Sequence, residues 1–226
     1  MEVNRDLLPE EIERKSFEII SEELEKRGIR LPADQERITK RVIHTTADFD
    51  YAATLTFSED APDILCGLIL RGADIVTDTN MAFAGINKRA LAHFGGQAHC
   101  FMADEDVAAT AKSRGTTRAV VSMEKARGLD RAEKPVIFAI GNAPTALIAL
   151  YDLMQKDGWR PAFLIGVPVG FVNVEAAKEL ILATDVPCIV NRGRKGGSNV
   201  AAAICNAALY ECLEREKAAK DGGGRA

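Results

Sequence analysis

Histidine and tryptophan are scarce in this chain of 226 residues, with 3 of the first and 1 of the second. Any chemistry that needs an imidazole therefore falls on very few positions. Uninterrupted apolar runs of eighteen or more are missing, so no segment reads as a membrane span. The opening MEVNRDLLPEEIERK is polar and acidic and has no apolar signal core, which points to the cytoplasm. A basic surplus is missing too: Lys+Arg number 29 against Asp+Glu 33, a net charge of -4. That excludes a global field for holding nucleic acid by its phosphates. The 5 cysteines (Cys66, Cys100, Cys188, Cys205 and Cys212) are odd in number and form no C-x-x-C pair. They read as reduced core residues rather than a disulfide framework. No H-E-x-x-H is present, so no protein-held metal is expected.

What is present is ample apolar material. At 47% hydrophobic the chain can bury one core, and residues 1–217 are read as one domain. The low-complexity end KAAKDGGGRA leaves 218–226 as an expected frayed tail. An N-terminal helical segment, 7–45, comes first. Leu7 to Lys26 has helical periodicity, with Ile12, Ile19, Ile20 and Leu24 as its apolar stripe and Ser16 on the same inward face. Ala33 to Thr45 reads as a second helix carrying Arg41 and His44 on one face. Beyond it, apolar runs at 73–78, 97–102, 135–140, 162–167 and 187–191 alternate with helical patterns near 60–71, 104–113, 117–128, 143–157, 174–183 and 198–217. This rhythm predicts a three-layer α/β/α fold, with a largely parallel sheet of about five strands and helices on both faces.

Ligands of open α/β sheets gather beyond the carboxyl ends of the strands. Those ends read TDTNMAFAGINK (77–88), GNAPTA (141–146), GVPVGFVN (166–173) and NRGRKGGSN (191–199), all rich in glycine or small polar residues. Free N–H groups at the following helix starts would favour carboxylates or phosphates, and Arg192, Arg194 and Lys195 add positive charge. Neither G-x-x-x-x-G-K-[ST] nor a strand-linked G-x-G-x-x-G occurs, and a G-x-S-x-G elbow is missing. A phosphate- or nucleotide-dependent enzyme built on NRGRKGGSN remains an alternative. His93 and His99 flank the FGG turn and read as structural or solvent-facing. His44 sits at a helix end beside Thr45 and Thr46, where an imidazole can exchange a proton near neutrality and Arg41 can grip a carboxylate; a capping or surface role is the other reading.

Several segments are long and distinctive: KSFEII (15–20), RVIHTTADFDY (41–51), TDTNMAFAGINK, FAIGNAPTAL (138–147), GVPVGFVNVEAAKE (166–179) and GRKGGSNVAAAICNA (193–207). They resemble the precorrin-8X methylmutase family over about residues 10 to 212, with wording most like its anaerobic, cobalt-precorrin-8 branch. The resemblance implies an intramolecular methyl transfer from C-11 to C-12 of a corrinoid, drawn as an acid-assisted [1,5]-sigmatropic shift. It implies His44 as the proton donor and acceptor, with Ser16, Arg41 and Arg118 as substrate contacts. Thr45, Asn142, Arg194 and Ser198 lie in or beside the same motifs and are taken as substrate-binding with them. Asp48 is a candidate to orient His44 if the helix continues. No cofactor is implied, since any cobalt arrives inside the substrate. The expected partners are a corrinoid polycarboxylate and a second copy of the chain in a homodimer. A non-catalytic corrinoid carrier would show many of the same features.

Overall fold

The computed structural model describes residues 8–223. The chain begins with α1 (Pro9–Lys26), α2 (Glu36–Thr46) and α3 (Tyr51–Thr54), followed by β1 (Leu55–Phe57), α4 (Ala61–Leu70) and β2 (Asp74–Thr77). Next come α5 (Asn80–Gly85), α6 (Lys88–His93), β3 (Ala98–His99), α7 (Glu105–Arg114), α8 (Arg118–Arg127) and β4 (Val136–Ile140). The last elements are α9 (Pro144–Asp157), β5 (Phe163–Gly166), α10 (Val174–Leu182), β6 (Cys188–Asn191) and α11 (Ser198–Gly223).

The strands form one sheet in the order β1-β6-β5-β4-β2-β3. All neighbours are parallel except β1, which pairs antiparallel to β6 with Leu55 opposite Asn191. The central strand VIFAI is buried along its whole length, as a strand covered on both faces must be. Its side chains alternate: Ile137 and Ala139 join one core, Val136, Phe138 and Ile140 the other. The first core packs under α1, α2, α4 and α11, the second under α8, α9 and α10. This is the expected α/β/α layering with six strands rather than about five. The extra one, β1, is three residues long and too short for its alternation to stand out in the sequence.

Three further expectations change. On α1 the buried side chains are Ile20 and Leu24, whereas Ile12 and Ile19 are 51% and 48% exposed. The apolar residues of α1 belong to two stripes. Phe17, Ile20 and Leu24 face the protein, and Leu8, Ile12 and Ile19 lie about 100° round the helix. Ser16 is half-buried, and its hydroxyl donates back to the Ile12 carbonyl at 2.9 Å. With 18 residues against the 11 of α2, the first turns of α1 run past their neighbour. The expected frayed tail is also partly helix. Residues 218–223 continue α11, where Ala218, Ala219 and Lys220 favour helix and Lys220 pairs with Glu216 at 3.0 Å; residues 224–226 lie outside the described residues. Finally, the stretch 77–88 is not an open loop: it holds the short helix α5 and ends where α6 begins. Thr79 accepts the Ala82 N–H and Asn87 the Ala90 N–H, each serving as a cap. Among the described residues no helix is long and apolar enough to cross a membrane.

Candidate active site

The loops beyond β2, β4, β5 and β6 are held together by backbone rather than left open for an anion. Asp78, fully buried at the end of β2, accepts the N–H groups of Gly141, Asn142 and Ala143 at 2.8, 2.8 and 2.6 Å. Burial pushes its carboxyl above the ordinary range, and the three amides oppose that shift. The amides of the loop that leads into α9 are therefore already occupied by the protein's own carboxylate. The glycines serve close packing. A Cβ on Gly141 would lie 2.7 Å from the Ser198 Cα, and one on Gly196, where φ is +158°, would lie 2.1 Å from the Val167 carbonyl oxygen. Two backbone bonds lace the third loop to the fourth, Gly170 N–H to Arg194 O at 3.2 Å and Gly197 N–H to Val167 O at 2.9 Å.

The cations of NRGRKGGSN are likewise answered from within. Arg192 meets Glu179 at 3.3 Å, Arg194 meets Glu175 at 2.9 Å, and Lys195 meets both Asp48 and Asp50 at 2.6 Å. These pairs leave little of the cradle that a phosphate would need, and the nucleotide alternative loses its main support. They also remove Asp48 as the orienting partner of His44. Helix α2 ends at Thr46 because Ala47 turns into the left-handed region, φ 53°, and Asp48 then reaches Lys195 instead. That hydrogen bond holds the Asp48 carboxyl below the usual carboxylate range.

His44 lies exposed in the last turn of α2. Its ring stacks on Phe17 at 5.3 Å between centroids and an interplanar angle of 19°. The Arg41 guanidinium covers Phe17 at 4.7 Å and Tyr210 at 5.2 Å, and pairs with Glu13. The Thr45 hydroxyl donates to the Arg41 carbonyl at 2.9 Å. The other two histidines have carboxylate partners: His93 meets Glu216 at 2.8 Å and His99 meets Asp74 at 3.0 Å. Among the described residues nothing hydrogen-bonds His44, so both its ring nitrogens are open to a ligand. Beside this cluster, a groove of about 760 Å³ runs between α1, α2 and α11; Phe17 and Tyr210 line it with Lys40, Arg41, Glu13 and Glu36, and His44 lies next to it rather than in its lining. That volume suits a large ligand.

The remaining sequence candidates gather at the strand ends. Ser198 is buried and shares a hydrogen bond with the Thr79 hydroxyl at 2.7 Å. Asn142 stands exposed beside it, its backbone N–H spent on Asp78. Arg118 is exposed at the start of α8, which the Thr117–Thr145 contact at 3.3 Å sets against the start of α9. Arg194 turns outward over Phe171. Phe171 and Val172 are 83% and 77% exposed, an apolar rim on this side. The candidates thus form two groups: Ser16, Arg41, His44 and Thr45 on α1 and α2, and Arg118, Asn142, Arg194 and Ser198 at the strand ends. Lys195 ties the second side to the first through Asp48. The sequence reading passed over Phe17, Asp78 and Lys178. Phe17 was within reach, since it stands next to Ser16 and three residues before Ile20 on the buried stripe.

Fold and site together define a class: an α/β protein with a histidine that has no hydrogen-bond partner among the described residues, beside a groove roomy enough for a large ligand. Comparison with known proteins supplies the particular family. The precorrin-8X methylmutase family model matches residues 11–211. A cobalt-precorrin-8 methylmutase of Salmonella typhimurium is 44% identical over 209 residues, covering 91% of this chain and 97% of that protein. A precorrin-8X methylmutase of Pseudomonas aeruginosa is 37% identical over 202 residues, covering 88% and 94%. The crystal structure of precorrin-8x methyl mutase from Thermus thermophilus superposes with a TM-score of 0.80 at 35% identity, covering 90% of this chain and 98% of that one. The chain belongs to the precorrin-8X methylmutase family, isomerases that catalyse an intramolecular methyl migration in cobalamin biosynthesis.

Proposed function

We propose that the substrate is cobalt-precorrin-8 and that the methyl group moves from C-11 to C-12, giving the cobyrinic acid skeleton, with His44 lending the proton. In this reading His44 protonates the macrocycle near the migrating methyl. The conjugated system becomes electron-poor, the methyl shifts with its bonding pair, and the proton returns to the imidazole. Nothing is oxidised or reduced, no cofactor of the protein's own is needed, and cobalt enters as part of the substrate. Arg41, Thr45 and Ser16 would contact the macrocycle around His44. Arg118, Asn142, Arg194 and Ser198 would meet its carboxylates from the strand-end side. The observation that carries the reading is that His44, stacked on Phe17, has no hydrogen-bond partner among the described residues. The cobalt-loaded form is favoured because the 44% relative is named for it.

The test is anaerobic incubation of limiting protein with cobalt-precorrin-8 and, in parallel, with its metal-free counterpart, following the absorption change. Many turnovers per site are expected, faster with the cobalt form. Conversion that stops at one per site would instead mark a carrier.

We further place the protein in the cytoplasm as a homodimer. Leu8, Ile12 and Ile19 support the second copy: they form an exposed apolar stripe on α1 beside the proposed site. Sedimentation equilibrium is expected to give twice the chain mass of 24.4 kDa. Ile12→Glu combined with Ile19→Glu should shift the equilibrium to monomer, and a wild-type monomer would end the proposal.

A further inference from the structure

We propose that Lys178 is a positioning residue for His44, acting through the loop 193–197 and the Lys195–Asp48 pair. Lys178 is fully buried on α10, and its ammonium donates to the carbonyls of Gly193 at 2.7 Å and Lys195 at 2.8 Å. A buried lysine is rare unless its charge is answered, and here two inward-facing carbonyls answer it, with Glu175 on the same helix adding attraction. Burial pushes its pKa down to about 8, so the ammonium is still the main form at neutral pH. The loop it grips has no regular secondary structure of its own. Its other ties include the Asn191 amide, which donates to the Lys195 carbonyl at 2.8 Å, the Arg194–Glu175 pair at 2.9 Å and the two backbone bonds to the third loop.

The consequence runs along named contacts. With its carbonyl fixed by Lys178, the Lys195 backbone projects its own ammonium onto Asp48 and Asp50, both at 2.6 Å. Asp48 lies directly after the left-handed residue Ala47 that ends α2, and His44 is in the last turn before it. The end of α2 is thus moored to the sheet side through Lys195, and Lys195 is moored through Lys178. Loss of Lys178 leaves the Gly193 carbonyl without its donor and the Lys195 carbonyl with the Asn191 amide alone, which lets the loop carry Lys195 away. The part of this inference that concerns turnover rests on His44 being the proton donor; the part that concerns position does not.

The experiment separates the two. The chain has 3 histidines, so the imidazole carbon–proton signals can be resolved by NMR. Folded Lys178→Met is expected to move and broaden the His44 signal while leaving those of His93 and His99 in place. Lys195→Met, a change outside the core, is expected to move the same signal and serves if Lys178→Met does not fold. An unmoved His44 signal in either folded variant overturns the proposal, whatever the reaction. In turnover assays kcat is expected to fall tenfold or more with KM nearly unchanged. The double variant is expected to be no worse than Lys178→Met, because the two residues act in series. A moved signal with unchanged kcat would uphold the positioning and count against His44 as the proton donor.

Discussion

His44→Ala is expected to bind the corrinoid with near wild-type affinity and to lose at least about a thousandfold in turnover, on the order of 4 kcal/mol of transition-state stabilisation. Affinity survives because the substrate's carboxylates are to be met elsewhere, by arginines and hydroxyls on the strand-end side. Turnover does not, because the cluster holds no second imidazole. Arg41 is paired with Glu13, and the Thr45 hydroxyl is donated to a backbone carbonyl. Stability should hardly change, since His44 is exposed and gives up only its stacking on Phe17. His44→Phe sharpens the test: it keeps a ring against Phe17 and removes the proton. It should be as inactive as the alanine variant, and imidazole added to His44→Ala should restore part of the rate. Wild-type turnover in His44→Phe would show that the ring packs and does no chemistry.

Asp78→Ala should cost the most stability of any single change at the strand ends, about 4 kcal/mol, or a fall in Tm of about 10 °C. Three N–H groups, those of Gly141, Asn142 and Ala143, lose a fully buried acceptor, the first of them in a buried place and the other two in partly buried ones. Asp78→Asn should recover only part of this, because either orientation of the amide sets an NH₂ donor against an N–H donor. The pH dependence has a definite sign. Burial raises the Asp78 pKa above that of the unfolded chain, so the folded state holds the proton more tightly. This group therefore makes the fold less stable as pH rises between the two values, a slope that Asp78→Asn removes. Thermal unfolding followed over acidic to neutral pH measures both effects. An unchanged Tm in Asp78→Ala would mean that the loop finds other acceptors.

Much of the architecture was legible because it is local. The run VIFAI announces a strand covered on both faces, and the stretches between such runs repeat at helical period. Strand β1 was not legible: three residues carry no detectable alternation, and it forms only because β6 offers an open edge. On α1 the apolar residues were visible but their division into a buried and an exposed stripe was not, since that depends on how far α2 extends beside it. His44 stood out in the sequence through rarity and company. Phe17 did not, because aromatic residues on helices are ordinary.

By itself the sequence determined the family, the order of strands and helices, and the presence of one conspicuous imidazole among small polar neighbours. Tertiary structure decided which polar groups remain available. The loop before α9 looked open, and its amides are taken by Asp78, 63 residues away from Gly141 in the chain. The cations of the last glycine loop looked free and are matched by Glu175, Glu179, Asp48 and Asp50. His44 alone among the three histidines has no partner within the described residues. The physical reason is that a hydrogen bond or ion pair depends on distance and direction in space, and both are set by packing rather than by nearness along the chain.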